Sequence, residues 1–322
     1  MEIMKTRLSN GFTSLVTVAL AGFAWLTAAV AAEPQSVRLL TVGNSFSRNA
    51  THFLGDLASA GGQKLIHKPI VVGGASLQLH AEKFQKHELD ASDKAGLYTD
   101  GRSLMQELAA DRWDFVTIQQ ASIKSHDLAT YRPYAAQLHA FIRKHAPQAA
   151  VLVHQTWAYR CDDPRFAKPA ATPGEPATQE AMYQGLSRAY ATIAAELGAR
   201  RIPVGDAFHL ADTDTKWGYR PDAKFDFKNA QPPALPDQTP SLHVGWRWTK
   251  GKDGRQTLGM DGHHASTAGE YLGACVFYEV LFNKTVVGNT FVPPGLASAY
   301  AQFLQETAHE AAAKSRVRGS PK

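Results

Sequence analysis

Short apolar runs alternate with longer amphipathic segments along most of the chain. Five of these runs are rich in β-branched residues, which favour β-strands, and each is followed by a segment with apolar residues at helical spacing. Such alternation is typical of a mainly parallel sheet with helices on both faces. We therefore predict an α/β fold, a three-layer α/β/α flavodoxin-like sandwich around a mainly parallel five-stranded sheet. The predicted strands are residues 37–42, 68–72, 114–119, 150–155 and 201–206, and the predicted helices are residues 49–60, 101–110, 131–145 and 178–198.

Two long stretches, residues 159–177 and 208–260, show neither a helix nor a strand pattern. Loops of that length in a compact domain are usually functional or disordered. The second stretch is aromatic, and flat rings near polar groups suit stacking on sugar rings. The same rings would equally serve to pack the loop onto the domain, so both interpretations stay open. The aromatic residues are Trp217, Tyr219, Phe225, Phe227, Trp246 and Trp248.

Residues 1–31 have the pattern of a secretory signal peptide. Lys5 and Arg7 precede an apolar run, residues 12–30, which closes on an A-x-A cleavage site. The alternative is a membrane anchor, because the run approaches the length that spans a bilayer. We expect cleavage, export to the periplasm or the cell exterior, and no stable membrane insertion of the remaining chain.

Beyond the signal peptide we expect one domain, residues 32–290, which carries the two long stretches as loop insertions. A chain of 322 residues is long enough for such a domain to bury a sizeable core. Residues 291–322 are expected to form a C-terminal helix and tail, since residues 296–315 are rich in alanine.

The formal net charge of +5 is modest, and the lysines and arginines are scattered rather than gathered in a stripe. We therefore expect no nucleic-acid partner. The sequence has no phosphate-binding loop, no dinucleotide-binding glycine motif and no metal-ligand spacing of histidines, so no cofactor or metal is expected. Cys161 and Cys275 are either free thiols or joined by a disulfide, which an exported compartment would permit.

Ser45 lies in Gly-Asn-Ser-Phe-Ser at the carboxyl end of the first predicted strand. Ligands of open α/β sheets bind at the carboxyl ends of the strands. Gly43 permits a tight exit from the strand, and a helix starting near Asn49 would direct its dipole back toward Ser45. Ser45 is therefore a candidate nucleophile, which needs a base and a group that orients the base.

Asp261 and His264 stand three residues apart, immediately before an apolar helical segment. This spacing allows both side chains to reach the same edge of the sheet, where the carboxylate would hold the imidazole against Ser45. His263 is a rival base, which we expect to face solvent.

Gly-Asn-Ser at the end of the first predicted strand, together with Asp-x-x-His before the last helix, resembles the SGNH (GDSL-type) hydrolase superfamily. Five sequence blocks resemble, more closely, a mostly bacterial and exported branch of it that is largely catalogued as a domain of unknown function. The similarity runs in order from residue 37 to about residue 283. The blocks are GNSFS, VGGASL, WDFVTIQQAS, HQTWAY and DGHHASTAGEYL.

The resemblance implies a serine esterase in which Ser45 attacks, His264 is the general base and Asp261 orients it. It also implies an oxyanion hole made by the amide of the nucleophile, a glycine amide and an asparagine side chain. The glycine maps onto Gly74, or less well onto Gly73. The asparagine is replaced here by Gln119 or Gln120, of which we favour Gln120 because it is nearer the strand end.

Asn44, Thr156 and Trp157 are the expected substrate contacts, with packing as the alternative role of Trp157. Export and aromatic loops favour an acylated carbohydrate as substrate, most simply an O-acetyl group, although other small esters would fit the chemistry. The alternatives are a degenerate hydrolase that only binds glycans, motivated by the missing asparagine, and a lipid or thioester hydrolase.

Overall fold

The computed structural model describes residues 1–2, 35–167 and 175–318. The chain divides into two compact units, Met1–Glu33 and Pro34–Lys322, and the strands and helices named below lie in the second. The expected signal peptide falls almost wholly outside the described residues. Among the helices that the structure describes, none is long and apolar enough to cross a membrane.

Five parallel strands form the central sheet, in the order β2-β1-β3-β4-β5. This is the strand order of flavodoxin-like folds, in which the chain reverses direction across the sheet between β1 and β3. The predicted fold class is thereby confirmed. The strands are β1 (Ser36–Gly43), β2 (Lys64–Val71), β3 (Phe115–Ile118), β4 (Ala150–His154) and β5 (Arg200–Ile202).

Helices cover both faces of the sheet, as right-handed crossovers between parallel strands require. One group packs around α5 and includes α3 and α4, and another packs around α9 and includes α1, α2, α8 and α10. The helices are α1 (Ser45–Ala50), α2 (Leu54–Ala60), α3 (Leu77–Leu89), α4 (Leu104–Ala109), α5 (Tyr134–His145), α6 (Pro164–Ala167), α7 (Gln179–Glu196), α8 (Val204–Thr213), α9 (Thr267–Phe282) and α10 (Ser298–Arg318), with short 3-10 turns at Lys94–Gly96, Ser122–Lys124 and Leu128–Tyr131.

Helix α9 lies at the centre of its layer and is apolar on all sides, which is typical of a fully buried helix. Ser266 caps it, accepting a hydrogen bond from the Gly269 amide. A Cβ atom at Gly273 would lie 2.8 Å from the Cα of Ala50, so glycine lets α9 approach α1 closely. This packing brings the chain before α9 next to the start of α1, where Ser45 lies.

Two local predictions were wrong, and one helix was missed. The helix expected from residue 49 begins at Ser45 and is interrupted after Ala50. The strand expected over 201–206 ends at Ile202, because Pro203 has no amide hydrogen for the strand ladder and begins the turn into α8. Helix α3 was not predicted, although Ser76 caps it.

The stretch 208–260, expected to be irregular, contains most of an antiparallel hairpin formed by β6 (His243–Lys250) and β7 (Gln256–Ala265). The hairpin is fixed to the domain by the segment that follows β4. There the Arg160 amide donates to the Gly262 carbonyl at 2.8 Å, and the buried Arg160 guanidinium donates to Gln238 at 2.9 Å. The end of β7 is therefore held beside the carboxyl ends of the sheet strands.

Several aromatic residues of this stretch pack the insertion onto the domain, and others pack within the insertion itself. The Trp217 ring stacks on that of Tyr300 in α10 at 5.0 Å, and the Arg160 guanidinium lies 4.1 Å from the centre of the Tyr219 ring. Trp248 donates its indole hydrogen to the Ala234 carbonyl. Phe227 keeps 44% of its surface exposed.

Both cysteines are free thiols in the structure. Cys161 is exposed, whereas Cys275 is buried within α9, where burial raises the pKa of its thiol. The disulfide alternative is therefore not realised here.

Candidate active site

Ser45 is the first residue of α1, and only Asn44 separates it from the end of β1. Asn44 caps this helix by accepting a hydrogen bond from the Phe46 amide at 2.9 Å. A Cβ atom at Gly43 would lie 2.8 Å from both the Gln119 amide oxygen and the Ser47 hydroxyl, so the tight exit from the strand requires glycine. The turn therefore presents Ser45, which is half-buried, above the carboxyl ends of the strands.

His264 connects Ser45 to Asp261. Its Nε2 lies 2.9 Å from the Ser45 hydroxyl, and its Nδ1 lies 3.1 Å and 3.2 Å from the two carboxylate oxygens of Asp261. Hydrogen bonding to the carboxylate assigns the proton to Nδ1, which leaves the Nε2 lone pair facing the serine hydroxyl. The structure thus brings together the three residues that the sequence predicted, in the order that a serine nucleophile requires.

The Asp261 carboxylate is held ionised by several donors. Burial alone would raise its pKa, but hydrogen bonds from the His264 side chain and amide, together with the nearby His263 and His264 charges, lower it overall. Arg247 in β6 also donates to Asp261 at 3.2 Å. An aspartate that stays charged at neutral pH can orient His264 and stabilise the imidazolium that forms during proton transfer.

His263 does not simply face solvent, as the sequence suggested. Its Nδ1 lies 3.0 Å from Asp261 Oδ1 and accepts a hydrogen bond from Arg165 at 3.2 Å. Its ring centre is 4.1 Å from that of His264, and 31% of its side chain is exposed. It is therefore part of the site, although it does not contact Ser45 in the structure.

The loop after β2 lies beside the nucleophile because Asn44 joins the two. The Asn44 side chain donates to the Ala75 carbonyl at 2.8 Å. Gly73 and Gly74 precede Ala75 and are exposed, and Gly74 has a φ of +66°, which favours glycine. The predicted oxyanion glycine therefore belongs to a loop tied directly to the turn that carries Ser45.

Gln119 and Gln120 are buried and serve the scaffold, which corrects the prediction that one of them completes an oxyanion hole. Gln119 donates to the Asn44 side chain at 2.8 Å and accepts from His154 Nδ1 at 3.0 Å. The Gln120 amide nitrogen donates to the Thr130 carbonyl at 2.8 Å and lies 3.2 Å from the Thr130 hydroxyl, so this amide is directed at Thr130. The physical reason is that both side chains turn inward to satisfy buried polar groups instead of turning toward Ser45.

Replacing Gln119 by leucine is expected to lower the free energy of unfolding by about 2 kcal/mol, because His154 would lose its acceptor and Asn44 one of its donors. Burial lowers the pKa of His154 to about 3, so the neutral ring remains a donor in need of a partner. Urea denaturation measures the loss, with the exposed Gln302→Leu as the matched control. Unchanged stability together with a hundredfold loss of kcat would instead return Gln119 to the oxyanion hole.

Asn44, Thr156 and Trp157 are at most 2% exposed, so the expected substrate contacts are wrong. Trp157 stacks on Phe208 at 4.5 Å, and the Thr156 hydroxyl lies 3.2 Å from that of Tyr190. The reason is that α8 covers this segment: a Cβ atom at Gly205 would lie 2.1 Å from the Thr156 carbonyl. Trp157 still supports the site from below, since its indole donates to the His263 carbonyl at 2.9 Å.

Two arginines near the triad were not identified from the sequence. Arg165 is held by two hydrogen bonds to Asp163 and lies 3.7 Å from the centre of the Tyr159 ring. Arg247 reaches Asp261 from the neighbouring strand of the hairpin. No sequence signal indicated them, because Arg165 meets His263 across 98 residues and Arg247 lies in a stretch with no recognised strand pattern.

The ligand atoms of Asp261, His263 and His264 lie within 4.8 Å of one another, a spacing that a metal ion could also use. The His264 Nδ1, however, already hydrogen-bonds the carboxylate, and a metal held by the same atoms would break that contact. The set therefore fits a hydrogen-bonded triad better than a metal centre.

Comparisons with known proteins place the chain near a family of unassigned function. The family model described as "Domain of unknown function (DUF4886)" matches residues 38–214, which confirms the resemblance to an unassigned group. No curated protein matches significantly. A solved structure of a DUF4886 family protein from Bacteroides uniformis is 25% identical with a TM-score of 0.63, over 86% of this chain and 95% of that one. A protein from Slackia heliotrinireducens that is proposed to be an SGNH hydrolase is 22% identical with a TM-score of 0.46, over 76% of this chain and 98% of that one.

Proposed function

We propose that this chain, which belongs to the DUF4886 family, hydrolyses carboxylic esters through an acyl-serine intermediate. The observation that carries the proposal is the unbroken series of contacts from the Ser45 hydroxyl through His264 to Asp261. The series converts a weakly nucleophilic hydroxyl into one whose proton has an acceptor as the new bond forms.

In the proposed reaction, the Ser45 oxygen attacks the ester carbonyl while His264 Nε2 takes its proton. The tetrahedral intermediate collapses, the ester oxygen leaves with the proton from His264, and the acyl group stays on Ser45. A water molecule then loses a proton to His264 and attacks the acyl-serine, which releases the acid and restores the hydroxyl. Asp261 stays ionised throughout and stabilises the imidazolium.

The proposed oxyanion hole consists of the Ser45 and Gly74 amides. Amides in the first turn of a helix have no partner within that helix, and Ser45 is the first residue of α1. Each oxyanion donor is typically worth about a hundredfold or more in rate. The third donor expected by resemblance is not supplied by Gln120, whose amide nitrogen is directed at Thr130.

The proposed substrate class is an O-acetylated carbohydrate. Two arginines and His263 form a polar rim beside Ser45, with side chains 43% exposed at Arg165 and 56% exposed at Arg247. Such a rim suits an alcohol portion rich in hydroxyl groups, and the nearby aromatic side chains of Phe46 and Trp157 are buried instead of offering an acyl-chain surface. We also propose export, on the pattern of residues 1–31 alone.

A non-catalytic glycan-binding protein is the second candidate, favoured by the engagement of both glutamines in the scaffold. With one donor fewer, a site of this kind would be slower by about a hundredfold or more. The intact hydrogen bonds among Ser45, His264 and Asp261 oppose this candidate, because binding alone requires none of them.

A panel of esters tests both the chemistry and the substrate class. We expect p-nitrophenyl acetate to be cleaved with a higher kcat/KM than the octanoate ester, and acetate to be released from an O-acetylated oligosaccharide. A preference for octanoate would instead indicate a lipid or thioester hydrolase. Binding of the oligosaccharide without release of acetate, and without turnover of either p-nitrophenyl ester, would establish the glycan-binding alternative.

A further inference from the structure

Two imidazoles lie against the same carboxylate. His264 Nδ1 hydrogen-bonds Asp261 at 3.1 Å, and His263 Nδ1 lies 3.0 Å from Asp261 Oδ1. The first contact belongs to the triad, whereas the proposed reaction makes no use of the second. Since only one imidazole can serve Ser45, the position of the other needs a separate explanation.

The Nδ1 atom of His263 contacts both Arg165 and Asp261, and the two contacts require opposite protonation states of that nitrogen. The Arg165 guanidinium only donates hydrogen bonds, and its geometry toward Nδ1 is that of a hydrogen bond at 3.2 Å. Accepting that bond requires Nδ1 to be unprotonated, whereas a favourable contact with the anionic Asp261 requires it to carry a proton. Arg165 therefore favours the neutral tautomer with its proton on Nε2, and it leaves Asp261 to orient His264 alone.

Arg165 is well fixed in this position. It makes two side-chain hydrogen bonds to Asp163, at 2.9 Å and 2.7 Å, and lies over the Tyr159 ring. The Trp157 indole fixes the backbone of His263 through its carbonyl. Arg165 and the backbone of His263 are thus both held by hydrogen bonds, which a histidine that merely faces solvent would not require.

We propose that His263 is a proton-sensitive positioning residue, which Arg165 keeps unprotonated at Nδ1 so that Asp261 orients His264, and whose protonation redirects Nδ1 to Asp261. The proposal rests on the proposed function, because it assigns a control element to the same site. A protonated His263 competes for Asp261 and places a second positive charge beside the imidazolium that His264 must form.

The charged and titratable groups that face His263 come from four segments of the chain. His264 and Asp261 lie with it on β7, Arg165 on α6 and Asp163 just before α6. Tyr159 faces it from the segment after β4, and Arg247 on β6 reaches it only through Asp261. Phe46 of α1 adds an uncharged ring at 6.5 Å.

These groups set the direction of the pH response. Burial lowers the pKa of His263 most, the His264 and Arg165 charges lower it further, and the Asp261 and Asp163 carboxylates raise it. His263 is therefore neutral at neutral pH and takes up its proton only on acidification. A like charge about 4 Å away costs enough, in a partly buried site, to slow formation of the imidazolium about tenfold or more.

The experiment combines pH profiles of kcat/KM with imidazole nitrogen-15 spectra of the same proteins. For the wild type, kcat/KM should fall more steeply with decreasing pH than uptake of a single proton allows. For His263→Gln, which retains an amide donor but does not titrate, the acid limb should have the slope of a single proton. For Arg165→Gln, the acid limb should move to higher pH by up to about one unit. The variant lacks the Arg165 charge, which lowers the pKa of His263, and it lacks the guanidinium that donates to His263 Nδ1. The matched control is His139→Gln on α5, whose profile should follow the wild type.

The spectra test the device without any substrate, which separates its failure from failure of the proposed function. At neutral pH we expect His263 Nδ1 to be unprotonated, and on acidification its proton uptake should shift the His264 resonances as well. A protonated Nδ1 at neutral pH, or a His263→Gln acid limb that superimposes on the wild type, would overturn the proposal. If the spectra are as expected but the wild type shows no Ser45-dependent ester turnover, the result would count against the esterase assignment alone.

Discussion

Replacing Ser45 by alanine is expected to reduce kcat for p-nitrophenyl acetate by about 10⁴-fold or more, the usual consequence of removing the nucleophile from a triad. In the wild type, the Ser45 hydroxyl lies 2.9 Å from His264 Nε2. In the variant, His264 has no hydroxyl from which to take a proton. Because Ser45 is only half-buried, the fold should tolerate the substitution, and the thermal unfolding temperature should change little.

The matched control is Ser47→Ala, two residues further along α1. Its hydroxyl bonds the Asn44 carbonyl and contacts neither His264 nor Asp261. We expect this variant to keep its activity within about tenfold of the wild type, since losing one such bond costs about 1 kcal/mol. Equal activities of the wild type and Ser45→Ala would refute the assigned nucleophile.

Replacing Asp261 by asparagine is expected to lower kcat by about 10⁴-fold with little change in KM. An asparagine amide would donate to His264 Nδ1 and so select the tautomer with its proton on Nε2, which cannot accept the proton of Ser45. The change also removes the negative charge that stabilises the imidazolium. Steady-state kinetics measure the loss, with the exposed Asp253→Asn in the turn between β6 and β7 as the control. A loss of less than tenfold would show that another group orients His264.

The sequence was sufficient to predict the fold class and the meeting of Ser45, His264 and Asp261 at one edge of the sheet. Buried parallel strands appear in a sequence as short apolar runs, and the carboxyl ends of such strands form one edge of the sheet, where ligands bind. Ser45 closely follows one strand, and Asp261 and His264 precede the apolar helix α9 by a few residues. Local spacing was therefore enough to place each side chain near that edge.

The sequence was not sufficient where a role depends on the direction of a side chain. Gln119 and Trp157 both lie just beyond the ends of strands, but the first bonds His154 and the second is buried against Phe208. Whether a polar side chain turns inward depends on which buried groups need a partner, and those groups come from distant parts of the chain. The pairing of Arg165 with His263 across 98 residues could not be predicted for the same reason.

The hairpin of β6 and β7 shows a similar limit for backbone structure. Strand β6 carries alternating exposed and half-buried positions around Trp246, but glycines and charged residues within the stretch obscured the pattern. The register that pairs Gly245 with Asp261 is fixed by bonds to Arg160 and Gln238, which lie outside the hairpin. Packing against the domain, rather than local propensity, therefore determines this element.

Covalent labelling by a fluorophosphonate is the sharpest test of Ser45 as the nucleophile, because it depends on an activated serine and requires no knowledge of the natural ester. We expect the wild type to take up one phosphonyl group per chain, mass spectrometry to locate it on Ser45, and both His264→Ala and Ser45→Ala to remain unlabelled. No labelling of the folded wild type under conditions that fully label a known serine hydrolase, or labelling that persists in Ser45→Ala, would contradict the assignment of Ser45 as the nucleophile.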